Sequence, residues 1–65
     1  MYDNNIIKLF QKMEKEIHKC IPDTEKFVEG NNSAGTRVRK SMQIIKSLAQ
    51  EIRVEIQNQK NSVVA

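Results

Sequence analysis

The sequence predicts an all-α protein, an antiparallel helical hairpin that dimerises into a four-helix bundle. Three observations carry this expectation. Apolar stripes at helical spacing run through both halves of the 65-residue chain, and a short glycine-containing linker separates them. Proline, glycine and aromatic residues are scarce (Pro 1, Gly 2, aromatics 5%), a balance that favours helix over sheet.

The first helix is expected over about residues 5–29. Ile6, Phe10, Met13, Ile17, Cys20, Thr24 and Phe27 step by four and three, and Ile7, Ile21 and Val28 widen the stripe. This is helical periodicity, not strand alternation. Lys8, Lys12, Lys15 and Lys19 lie off that face, where water reaches them. Asn4 or Asn5 can cap the start. Pro22 admits two readings, because it removes a backbone donor and crowds the preceding turn. The helix either breaks there or kinks. The apolar rhythm keeps its phase through Pro22, which favours the kink. Gly30 is a natural C-terminal stop.

A turn at about 30–32 leads to a second helix over about 33–57. Ala34, Val38, Met42, Ile45, Ala49, Ile52 and Ile56 form its stripe, broadened by Ile44 and Leu48. Asn32 or Ser33 is the expected cap. Gly35, in the first turn, allows close backbone approach. The last residues, 58–65, have weak periodicity and are expected to fray. Each stripe corresponds to roughly 37 Å of helix.

Residues 1–65 are read as one domain. A chain this short buries little surface alone. Cys20 is the only cysteine, so no internal disulfide can staple it. His18 and Cys20 are two apart and point in different directions on a helix, so no metal site is expected. Association of two hairpins is the remaining way to cover the stripes, and a homodimer is expected for that reason. The spacing suits shallow-angle packing. The plain reading of the stripe residues, Met13, Met42 and Cys20 included, is core packing.

No catalytic constellation is visible. One His and one Cys are present, and no general base adjoins a nucleophile in sequence. Glu14 and His18 share a face, but such pairs are ordinarily surface contacts. The run GNNSAG lacks the Gly-Lys-Ser/Thr ending of a phosphate-binding loop. The reading is therefore no enzyme, no cofactor, no metal and no small-molecule substrate. No stretch approaches membrane-spanning length, MYDNN lacks the features of a secretion signal, and a lone thiol fits a reducing compartment. A cytoplasmic location is expected. A helix lying on anionic membrane is a weak third reading, since acids mix with the lysines of the first helix.

Charge carries the functional signal. Residues 1–30 hold five lysines and six acids, whereas residues 31–65 hold six basic residues and two acids. Arg37, Arg39 and Lys40 open the second helix, at the end where the backbone dipole repels cations. A solvated face relieved by Glu25 and Glu29 is the bland reading. The sharper one is an anion site, in which helix N–H groups and basic side chains hold phosphate. Lys46 and Arg53 continue from Arg39 along one line. These five residues fit contacts to nucleic-acid backbone, which position without specifying sequence. Tyr2, Phe10 and Phe27 form no stacking platform for single-stranded RNA, so DNA is the favoured partner.

Residues 29–57, EGNNSAGTRVRKSMQIIKSLAQEIRVEIQ, resemble the bacterial linker-histone-like family of small nucleoid-associated DNA-binding proteins. Gly30, Asn31, Ala34, Gly35, Arg37, Arg39 and Lys40 carry the resemblance. It implies non-specific DNA binding, chromosome condensation and a nucleoid-associated location, with no winged helix. Some members carry a long tail rich in Lys, Ala and Pro, whereas the final residues here, NQKNSVVA, hold one lysine. The competing expectation is a helical protein–protein interaction module that does not bind nucleic acid.

Overall fold

In the computed structural model, residues 4–63 are described. They form two α-helices, α1 (Asn5–Val28) and α2 (Asn32–Val63), packed as an antiparallel hairpin. The molecule is a long flat plank of 55 × 23 × 11 Å. Among the described residues there is no strand. Tyr2 and the last two residues lie outside the described residues.

Asn4 starts α1. Its backbone is extended (φ −103°, ψ 136°), and its Oδ1 accepts from the Ile6 N–H at 2.8 Å, which satisfies one of the free donors of the first turn. The same side chain exchanges two amide hydrogen bonds of 3.3 Å with Gln59. This ties the start of α1 to the far end of α2. The helix runs through Pro22 without a break, so of the two readings of that residue the break is overturned. The His18 carbonyl necessarily loses its usual N–H partner at Pro22. Nearby side chains donate back to the chain, Thr24 Oγ1 to the Cys20 carbonyl at 2.9 Å and Cys20 Sγ to the Ile17 carbonyl at 3.3 Å.

Gly30 ends α1. The Gly30 N–H donates to the Phe27 carbonyl at 2.9 Å and the Asn31 N–H to the Lys26 carbonyl at 3.0 Å. This paired arrangement needs a left-handed residue between helix and turn, and Gly30 supplies it with φ +110°. The cap of α2 is Asn31, one residue before the expected Asn32 or Ser33. Its Oδ1 accepts from the Ala34 N–H at 3.1 Å.

The packed line of α1 is Ile6, Leu9, Met13, Glu16, Cys20 and Asp23; every residue of this helix that is not exposed belongs to it. On α2 the packed line is Ala34, Val38, Ser41, Ile45, Leu48, Ile52, Glu55 and Gln59, flanked by the small residues Gly35 and Ala49. Both lines alternate steps of three and four, the rhythm of helices crossing at a shallow angle. Leu9, Leu48 and Ile52 form the buried core, with Ile6 and Met13 against it. Ala34 and Cys20 are buried nearer the turn. Fully burying a leucine or isoleucine is worth about 1.5–3 kcal/mol.

Three expectations are corrected here. The stripe read for α1 mixes two neighbouring lines: Leu9 is inside, whereas Phe10 (52%) and Ile17 (42%) are exposed. On α2, Met42, Ile44 and Ile56 are likewise exposed. The region expected to fray is helical as far as Val63. No proline or glycine interrupts it, and Gln59 anchors it through Asn4.

Candidate nucleic-acid interface

The run from Asn31 to Lys40 enters α2 with no acidic residue in the first turn. The cap comes from within the chain. Asn31 takes up the Ala34 N–H, so the helix start is already partly satisfied, and an anion here would meet side chains more than backbone donors. Ala34 is fully buried, which fixes the first turn of α2 against α1.

Gly35 lets the two helices approach at this end. A Cβ built on it would stand 2.5 Å from Cδ1 of Phe27, well inside contact distance. The half-exposed Phe27 ring therefore lies over the Gly35 backbone. An open groove runs beside it, bordered by Val38 and Arg39.

Arg37 has a partner. Its Nε donates to Asp23 Oδ1 at 2.9 Å, with the side chains 49% and 23% exposed. Among the described residues the basic helix start thus pairs with Asp23, and not with the expected Glu25 or Glu29. Exposed pairs of this kind contribute about 0.2–1 kcal/mol. Arg39, Lys40, Lys46 and Arg53 are all exposed, and among the described residues none has an ion-pair partner.

The five cations do not share one face. At about 100° per residue, Arg39, Lys46 and Arg53 fall on one line of α2, while Arg37 stands about 160° round the helix from Arg39, with Lys40 beside Arg37. Lys46 and Arg53 border one open groove with Gln43 and Gln50.

Antiparallel packing sorts the plank into two flanks. The Phe27–Gly35 contact marks one, and Phe10, Ile17, Met42, Ala49 and Ile56 project along it. On the other flank, Lys12 and Lys19 share a groove with Ile44, and Asn5 shares one with Glu51. Lys12, Lys15, Lys19 and Lys26 of α1 stand on this second flank, all exposed, together with Arg37 and Lys40 of α2. From the sequence alone the α1 lysines read only as residues that water reaches. The available signal was their spacing, since all five lysines of α1 fall on two adjacent lines while four of its five described acids, counting Glu29 at the cap, fall elsewhere.

Among the described residues, no three His, Cys, Asp or Glu side chains gather where they could hold a metal ion. No helix is long and apolar enough to cross a membrane. Among the described residues, exposed cationic side chains lie along both outer faces of the helical hairpin.

The chain belongs to the histone H1-like protein Hc1 family, whose model matches residues 7–62. No curated protein and no solved structure matches it.

Proposed function

We propose that this chain is a dimeric helical-hairpin protein that binds DNA through backbone phosphates, without strong sequence preference, and helps to organise a bacterial nucleoid. The observation that carries the reading is the line Arg39, Lys46 and Arg53, exposed and without acidic partners among the described residues, in a chain of a histone H1-like family. Arg37 and Lys40, about 160° and 100° round α2 from Arg39, would meet a backbone from the other flank, near the turn. Each cation that meets a phosphate releases a condensed counterion, so affinity falls steeply as salt rises. The location this implies is the cytoplasm, on the nucleoid.

Exposed area supports the dimeric reading. A compact chain of 7.5 kDa exposes about 4,200 Å², whereas this hairpin exposes 5505 Å². The excess of about 1,300 Å² exceeds the roughly 800 Å² that one partner contributes to a standard interface. A second copy docked on the flank of Phe10, Ile17, Met42 and Ile56 covers the apolar part of it and makes the four-helix bundle.

The test is a gel-shift titration on unrelated duplexes over a range of salt. The wild-type chain shifts all of them with similar affinity. Replacing Arg39, Lys46 and Arg53 with Ala flattens the slope of log affinity against log salt by up to about three units. An unchanged slope removes these residues from the site. The exposed apolar flank also supports a second reading, a helical protein-interaction module. Absence of any shift at low salt with tens of micromolar protein (roughly the ceiling of non-specific affinity) selects that reading instead.

A further inference from the structure

We infer that the hairpin has a second DNA-backbone surface, the lysine strip of α1, and that it uses the two surfaces together to bridge separate DNA segments. The inference rests on the DNA-binding reading above and extends it to residues outside that site.

Lys12, Lys15, Lys19 and Lys26 are exposed along one side of α1. From first to last they span about 21 Å of helix, a length over which a duplex presents about twelve phosphate charges. Glu16, the acid bordering the same groove, is half-buried, and its carboxylate accepts from the buried Ser41 hydroxyl at 2.8 Å. It is turned toward the packed line of the hairpin. The near-neutral count of the first half of the chain therefore conceals a helix that is basic on one side. Lys40, on the same flank, extends the strip onto α2.

Direction decides what two surfaces can do. The strip looks out from the flank where Lys12 and Lys19 adjoin Ile44. The Arg39–Lys46–Arg53 line looks out from the outer edge of α2, at the rim of the opposite flank, where Phe27 covers Gly35 and the second copy docks. Helical geometry puts these directions about 160° apart. A duplex is a stiff rod with a persistence length of about 50 nm. It cannot wrap a plank of 55 × 23 × 11 Å to reach both surfaces. Two surfaces facing apart therefore engage two segments.

The experiment immobilises one random-sequence duplex on beads and measures capture of a second, labelled duplex by the full chain at low salt. The variant K12Q/K15Q/K19Q is compared with wild type. Glutamine is a good helix former, and circular dichroism checks that the variant folds. The expected result is retention on the immobilised duplex within about threefold of wild type and loss of second-duplex capture by at least about tenfold, as removal of three phosphate contacts requires. Undiminished capture by this variant overturns the inference, because bridging would then run through the α2 line alone in a pair of copies. Failure of wild type to bind even the immobilised duplex is a different outcome: it overturns the DNA-binding reading, and the bridge falls with it.

Discussion

Replacing Gly30 with alanine should lower the melting temperature by about 7–15 °C. The residue sits at φ +110° with nothing within 4 Å of an added Cβ. The cost is therefore backbone strain alone, with no packing clash. Holding an L-residue in left-handed conformation costs about 1–2 kcal/mol. Unfolding entropy of about 2.1 cal/mol/K per residue gives roughly 0.14 kcal/mol/K for a chain of 65 residues, which converts that cost into the stated shift. Escaping the strain would break the bonds from the Gly30 and Asn31 N–H groups to the Phe27 and Lys26 carbonyls. Thermal melts followed by far-UV circular dichroism measure the shift, at one fixed protein concentration because association also moves the midpoint. Gly30→Asn should lose less, since asparagine tolerates this region better. An alanine variant melting within about 2 °C of wild type would refute the claim that this turn sets the hairpin's geometry.

Other substitutions test the interior and the surface. Leu48→Ala, in the buried core with Leu9 and Ile52, should cost about 2–5 kcal/mol in urea titration, enough to unfold most of a chain this small. Ser41→Ala leaves the half-buried Glu16 carboxylate without its donor and should cost about 1–3 kcal/mol. The double change Ser41→Ala with Glu16→Leu should recover most of that loss, because both polar partners are then gone. Asp23→Asn removes the acid that holds Arg37 at 2.9 Å. It should change stability by less than about 1 kcal/mol while tightening duplex binding in gel shifts at low salt.

The hairpin itself was legible in the sequence, because period and linker suffice to define two helices and their antiparallel order. The facing line was not. Leu9 and Phe10 stand three and four residues after Ile6, and both steps keep a residue on one helical face. Which of the two turns inward depends on where α2 lies, and the spacing of α1 does not contain that. Glu16, Asp23 and Ser41 occupy packed positions that an apolar pattern passes over. Glu16 finds its partner in Ser41, 25 residues away, and Asp23 in Arg37, 14 residues away. The Asn31 cap was hidden because Asn31, Asn32 and Ser33 are all good capping residues in a row. Of the candidate site, the cations were visible as residue types. Their division between two opposed faces required the register of the packed helices, as did the segregation of lysines on α1.

That packing leaves Phe10, Ile17, Met42 and Ile56 in water, each at least 39% exposed, and in the proposed dimer a second copy covers them. Light scattering coupled to size exclusion, on dilute protein at moderate salt, tests this most directly. The expected particle has twice the 7.5 kDa chain mass and shifts toward the single-chain mass when Phe10 and Ile17 are changed to serine. A well-ordered particle of one chain mass, melting cooperatively at a midpoint independent of concentration, would contradict it.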